Sequence, residues 1–422
     1  MDYPNAPSGQ PRRVRLRDDQ IEQRKHDGLE IAHRAKIEQR GDVYIVSSLT
    51  RGKTRYTVVP DPKSPQCTCV DYETTQEPCK HIYGVRAFMQ REQDVRALAS
   101  PKPPKPTYRQ NWPAYNAAQT NETYEFRSLL YDLCKTIPEP ERRLGRPRTS
   151  LADAVFAAVF KVYSTRSGRR VISQLTEAFE QGYLEKPVHF NVISSYLEKP
   201  ELTPILRGLI VESAKPLRAV ETNFAVDSTG FTGSRFIRWT DVKYRGMKEK
   251  AWTKLHVMVG VKTHIVSAAI IEGQNASDAG QLQALLDTTA HNFDAVREVF
   301  ADKGYAVVHT HQSIAATGAR AYIPFKTNAT GARGGVWEKA YHYYMLNRDD
   351  FLKHYHQRSN VETAFMMMKT KFGDSVRSKI EVAMANEVYA KVLAHNIYCL
   401  IQSMYELGIA PEFLATTLKK AS

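Results

Sequence analysis

Four residues towards the C-terminal end of the chain, Tyr355, Arg358, Glu362 and Lys369, are spaced so that one piece of chemistry can be asked of them together. They fall in "YHQRSNVETAFMMMKTK", which reads as a single helix. At 100° per residue, the offsets of 3, 7 and 14 put all four within an arc of roughly 60°. Val361, Ala364, Phe365 and Met368 fill the adjoining arc as a core-facing stripe. One face therefore offers a carboxylate flanked by a phenol, a guanidinium and an ammonium. A solvated face with ion pairs one turn apart is the competing reading, and the rest of the chain decides between them.

Two aspartates bear on that decision. "FAVDST" puts Asp227, and "VFADKGY" puts Asp302, at the ends of apolar strand patterns, where aspartate is otherwise depleted. On adjacent parallel strands both would point into the crevice where open α/β sheets bind ligands; turn or capping aspartates are the plainer alternative for each. With Glu362 on a helix over those strands, three hard oxygen donors converge without a Cys or His nearby. That donor set suits Mg²⁺ or Mn²⁺. Two such ions can hold both the attacking and the leaving oxygen of an in-line phosphoryl displacement.

A second constellation lies near the N-terminus. "CTCVDYETTQEPCKH" spells Cys67-x-Cys69, nine residues, then Cys79-x-His81. Four soft or borderline ligands suit a tetrahedral Zn²⁺, and the two strands and one helix around them are too short to fold on apolar burial alone. Chance clustering of buried thiols is the alternative. Cys-x-Cys…Cys-x-His after a hairpin, with "CKHI" leading into a helix, resembles a SWIM zinc finger over residues 34–90. The resemblance implies a partner, DNA or protein.

Residues 223–400 resemble the DDE transposases of bacterial insertion sequences. "DSTG" at 227–230 looks like the first signature and "DKGY" at 302–305 the second, and Tyr355-x2-Arg358-x3-Glu362-x6-Lys369 matches the Tyr/Arg/Glu/Lys tetrad of one group at every spacing. The resemblance implies an RNase H-like core with Asp227, Asp302 and Glu362 as catalytic residues and Mg²⁺ (or Mn²⁺) ligands. It also implies that Tyr355, Arg358 and Lys369 grip the phosphates of a transposon end. The activity implied is cleavage at terminal inverted repeats followed by strand transfer into target DNA by a homodimer, with a hairpin intermediate in some relatives. An inactive DNA-binding regulator and a nuclease that cuts without joining are the alternatives. Sixty positions separate Asp302 from Glu362, which leaves no room for the large insertion some relatives carry there. The segment "KTNATGARGGVWEKAYHYYMLNRDD" reads as a shortened version, with Trp337 able either to stack on an unpaired base or to sit in a core.

The elements that must position these groups follow from pattern. The fold class expected is α/β: an RNase H-like mixed sheet, a helical DNA-binding region, and a small zinc-binding α+β module. A basic tail (1–17) precedes the SWIM-type module (18–99), opened by a charged helix over 18–40. A Pro/Lys linker (100–121) leads to the helical region (122–220), then to the catalytic core (221–410) and a tail (411–422). From 221 the order is three strands, a helix, a strand, a helix and a strand. "RRLGRPRTS" offers Arg146 and Arg148 to a minor groove, or simply leads into a helix capped by Thr149 or Ser150. "VISQLTEAFEQGYLEKPVHFNVISSYL" reads as a helix-turn-helix or as ordinary bundle helices. Arg166, Arg169 and Arg170 stand ready for phosphate or for solvent, and His256 reads as a core residue.

The bulk numbers agree with this reading. The 422 residues carry a formal charge of +14, as a chain that meets a polyanion would. No apolar run reaches the ~18 residues of a membrane span, and "MDYPNAPSGQPRRVRLRDDQ" lacks a signal-peptide core. The expected setting is the cytoplasm, at the nucleoid. There, three of five cysteines within thirteen residues argue for metal rather than disulfides.

Overall fold

The computed structural model describes residues 16–50, 52, 54–99, 111–141, 148–233, 252–272 and 277–413, with the backbone alone described for 93–99. The first elements are α1 (Asp18–Arg34), β1 (Ile37–Arg40), β2 (Val43–Ser47), β3 (Arg55–Val59), β4 (Gln66–Cys67), α2 (Val70–Thr75) and α3 (Lys80–Ala99). Five helices follow: α4 (Trp112–Lys135), α5 (Leu151–Tyr163), α6 (Ile172–Glu180), α7 (Phe190–Leu197) and α8 (Leu202–Ala214). Then come β5 (Asn223–Thr232), β6 (Trp252–Gly260), β7 (Val266–Glu272), α9 (Asp278–Asn292), β8 (Glu298–Ala301), α10 (Val308–Ala316) and β9 (Arg320–Tyr322). The last four are α11 (Gly335–Leu346), α12 (Arg348–Tyr355), α13 (Ser359–Phe372) and α14 (Glu381–Leu407). The chain divides into two compact units: the described residues up to Pro106 together with Thr327–Leu352, and those of Thr107–Lys326 together with Lys353–Ser422.

In the first unit β1 to β4 form an antiparallel sheet in sequence order. The helix expected over 18–40 stops at Arg34, and Ile37–Arg40 pairs with β2 instead. Gly41, at φ 62°, makes this possible: it turns the chain so that Arg40 faces Val43 across a tight hairpin. Alternate residues of β2, Tyr44 and Val46, enter the core with Val58, Ile82 and Val85. Helices α1 and α3 cross where Gly28 meets Gly84. A Cβ on Gly84 would lie 2.8 Å from Ile31 Cγ2 and 3.0 Å from the Gly28 carbonyl. Residues 327–352, expected to belong to the catalytic core, are part of this unit, where α11 packs on α3.

The second unit holds a five-stranded sheet of order β7-β6-β5-β8-β9, with β5, β6 and β7 antiparallel and β8 and β9 parallel to β5. This mixed sheet and the interleaved helices are the RNase H-like arrangement expected. Helix α14 is buried along most of its length, as its apolar sequence on every side requires. It meets the edge strand β7 through Asn396, whose side chain accepts from Val266 N and donates to Val266 O, both at 2.8 Å. One buried amide thus covers an unpaired strand edge. Residues 112–121, expected as linker, are instead the first turns of α4, capped by Asn111; residues 100–110 lie outside the described residues.

Two local expectations change. Between α6 and α7 lie nine residues, 181–189, too many for the three- or four-residue turn of a helix-turn-helix. The buried Asp153 pins that loop by accepting from Glu185 N and Lys186 N. The helix read across 355–371 tightens part-way: Tyr355 ends α12, a 3₁₀ turn covers His356–Arg358, and α13 begins at Ser359, with Tyr355, Arg358 and Ser359 all in the right-handed helical region. Ser359 Oγ and Asn360 Nδ2 donate to the carbonyls of His356 and Gln357 there.

Candidate active site and metal centre

The register of β5 and β8 brings the two aspartates together. Val226 pairs with Ala301, so Asp227 and Asp302 are the next residues of two neighbouring parallel strands. Asp302 then caps a 3₁₀ turn, its Oδ1 accepting from Gly304 N at 2.7 Å. Asp227 Oδ1 accepts from Ser228 N at 2.8 Å, and Oδ2 accepts from Arg358 Nη1 at 3.0 Å. The other arm of the Arg358 guanidinium donates to Glu362 Oε1. One fork from the 3₁₀ turn thus ties the acid on β5 to the acid on α13.

The electrostatics report crowding. Burial raises the Asp227 pKa, and the negative charges of Asp302 and Glu362 raise it further, against the Ser228 N–H and Arg358. Burial works against the Arg358 charge, yet Tyr355, Glu362 and Asp227 together leave its pKa raised. Lys369 Nζ donates to Thr229 Oγ1 at 2.7 Å, on the strand that carries Asp227. Glu362 is exposed, and Asp302 half-buried. The carboxylates are hard donors throughout, as Mg²⁺ or Mn²⁺ requires. They are not drawn as tightly as a single ion would draw them: among the described residues, the Cys/His cluster is the one group of three or more such ligands with all donor atoms within 4.8 Å of one another. A pair of ions about 3.5–4 Å apart asks for the wider spread.

Three neighbours went unnoticed in the sequence. Lys254 Nζ lies 2.8 Å from Asp278 Oδ1, and His256 Nδ1, on a fully buried ring of β6, lies 3.4 Å from the same oxygen. Burial would raise the Asp278 pKa, but hydrogen bonds from Lys254 and Ser228 hold it below the usual value. The buried Tyr305 phenol is pushed well up, by burial first and then by the charges of Asp278, Asp227 and Asp302. "NASDAG" reads as an ordinary helix start, so nothing in the sequence separates Asp278 from a capping residue.

The four cysteine and histidine side chains meet as their spacing predicts. Cys67 ends β4, Cys69 caps α2, and Cys79 and His81 flank the start of α3. All four are buried, and His81 Nδ1 lies 3.9 Å from both Cys67 Sγ and Cys79 Sγ. These separations lie just above the edges of about 3.3–3.8 Å of a tetrahedron with bonds of about 2.0–2.3 Å, so a small inward shift would close it on an ion. Hydrogen bonds with Cys69 and Cys79 push the Cys67 thiol far up, whereas those with Cys67 and Cys79 hold Cys69 far down. Tyr72 N donates to Cys69 Sγ at 3.4 Å, as a backbone amide does to a ligating thiolate. The donor set and geometry fit Zn²⁺.

Arg148 is exposed ahead of α5, and Ser150 caps that helix by accepting from Asp153 N; Arg146 lies outside the described residues. Trp337 is buried in the first unit, its indole N–H donating to Thr330 O at 2.8 Å and Arg333 lying 5.6 Å over its ring. Among the described residues, no helix is long and apolar enough to cross a membrane. The stretch that carries Asp227, Asp302, Arg358, Glu362 and Lys369, residues 218–397, matches the family model of a transposase DDE domain.

Proposed function

We propose that the protein is a DNA transposase of the Tyr/Arg/Glu/Lys-tetrad group, acting at terminal inverted repeats. The observation that carries this reading is the single guanidinium of Arg358 joining Asp227 to Glu362, beside Asp302 on the neighbouring strand. Asp227, Asp302 and Glu362 would hold Mg²⁺ or Mn²⁺, whose chemistry is to neutralise a phosphodiester's growing charge and to activate the attacking oxygen. In the first reaction water attacks phosphorus at the element's end; the P–O3′ bond breaks and leaves a 3′-OH on the transposon. In the second, that hydroxyl attacks a target phosphodiester and displaces a target 3′-oxygen. Arg358 and Lys369 supply cations for the phosphate oxygens, Arg358 as a planar fork and Lys369 as a point charge, with Tyr355 at the rim. The Cys67/Cys69/Cys79/His81 centre acts as a SWIM-type finger with Zn²⁺. Holding two ends calls for a homodimer on DNA, at the nucleoid.

Incubating the purified chain with Mg²⁺ and candidate terminal repeats tests the reading. The wild type should nick the repeat end, and Asp227→Ala should lower that rate about 10³-fold. Equal rates would dismiss the site. A pre-cut end then separates a transposase, which joins it to target DNA, from a nuclease, which does not.

A further inference from the structure

At the far end of β5 a second charged feature stands apart from the carboxylates. Thr165, Arg166, Ser167, Arg169, Arg170 and Ser173, from the loop before α6 and its first turn, line an open cleft of about 900 Å³, and Arg377 closes it from the segment between α13 and α14. All four arginines are exposed. Among the described residues no carboxylate pairs with any of them: Arg169 lies 5.1 Å over the Phe190 ring, and Arg377 donates to the Thr165 carbonyl. Four exposed arginines around one cleft concentrate a positive field that a polyanion would meet.

The wall that carries Arg377 is held from beneath by two buried charges, one of which, Glu387, is also paired with the buried Lys161 of α5 at 3.7 Å. Lys391, on α14 and 2% exposed, donates to the carbonyls of Phe372, Gly373 and Ser375 at 3.0, 2.7 and 2.8 Å. Glu387, one turn earlier and 3% exposed, accepts from Arg377 N, Ser378 N and Ser378 Oγ. Burying charges costs several kcal/mol of desolvation per ion, and the bonds of Lys391 and Glu387 help fix residues 372–378. The same segment joins β5, since Thr232 bonds to Asp374 O and Val376 N. Thr232 and Asp227 lie on the same strand, β5.

We propose that this cleft is a second DNA-binding site, which holds backbone phosphates of a duplex engaged at Asp227, Asp302 and Glu362. The engagement at those acids rests on the transposase reading; the cleft's binding of duplex does not. The test is equilibrium binding of the full chain to a fluorescent 30-base-pair duplex of mixed sequence, titrated with salt and without Mg²⁺. Replacing Arg166, Arg169 and Arg170 by Ala should flatten the slope of log K against log salt by about 0.9 per arginine. It should also weaken binding about tenfold or more near 0.15 M salt, while the three-lysine variant keeps most of the slope. Lys186→Ala with Arg207→Ala, exposed charges outside the cleft, should move the slope far less. Should the triple-alanine variant not fold, Arg170→Glu alone carries the test. A slope equal to that of the control pair would overturn the proposal and hand the cleft to a carboxylate-bearing protein. A wild type that never cleaves a repeat, with the slope change intact, would remove the transposase reading and leave the cleft standing.

Discussion

A guanidinium between two carboxylates, as Arg358 lies between Asp227 and Glu362, lowers the mutual repulsion of the acids before any phosphate arrives. Arg358→Ala should therefore slow single-turnover end cleavage about 10²–10³-fold, the scale for losing one preorganised charge donor. Arg358→Lys, a point charge that cannot span both acids, should fall between; an alanine variant at the wild-type rate would rule the bridge out of catalysis. Asp227 makes a separate prediction from its raised pKa. Its folded pKa lies above the unfolded value near 3.9, so ionisation costs stability above the folded pKa, and that cost fades as pH falls towards 3.9 and below. In Mg²⁺-free buffer, Asp227→Asn should gain melting temperature over wild type as pH rises from about 3.5 to 7. A difference that stays flat across that range contradicts the assigned strain. Residue types made the acids and the zinc ligands legible, because few other environments ask for them. Lys254, Asp278 and Tyr305 stayed hidden because each is ordinary in its own segment and meets the site only once β6, α9 and the turn after β8 are assembled.

At the scale of elements, periodicity located most helices and strands but not their ends, which side-chain hydrogen bonds decide. The 3₁₀ turn at His356–Arg358 is of this kind: a uniform α-helix satisfies the apolar stripe equally well, and the Ser359 and Asn360 side chains bond to carbonyls of the tightened turn. The α1–α3 crossing is another, since a glycine inside a helical pattern signals a cost without naming its reason. Gly84→Ala should help an isolated helix by up to ~1 kcal/mol. Here its Cβ would strike Ile31 and the Gly28 carbonyl, and overpacking of that sort costs ~1–3 kcal/mol. Gly208→Ala, within α8, meets nothing within 4 Å and should stabilise instead. Calorimetric melts of the two variants should move in opposite directions. A Gly84→Ala protein melting at or above the wild type would show that the helices do not cross as closely as described.

For the whole molecule, sequence order and spatial grouping part company. The strands of Asp227 and Asp302 and the helix of Glu362 read as one stretch, yet residues 327–352, which interrupt it, belong with the N-terminal module that holds the Cys/His cluster. Contact between segments some 250 positions apart has no local signature, which is why this grouping was invisible. The module's core is a cluster of few residues, three of them Cys67, Cys69 and Cys79 of the candidate Zn²⁺ site. Such a core gains most of its folding free energy from ligation. Stripping Zn²⁺ should therefore unfold the module, and because α11 packs on α3, the loss should reach residues 335–346 as well. Hydrogen exchange on the full chain, with and without a zinc chelator, reads this directly. Amides of β2, β3, α3 and α11 should lose protection together, while β5, β6 and α14, whose core is independent apolar packing, keep theirs. Protection lost in the N-terminal strands but kept in α11 would separate residues 335–346 from the module. Protection kept in both would mean that the four ligands are not what holds this unit folded.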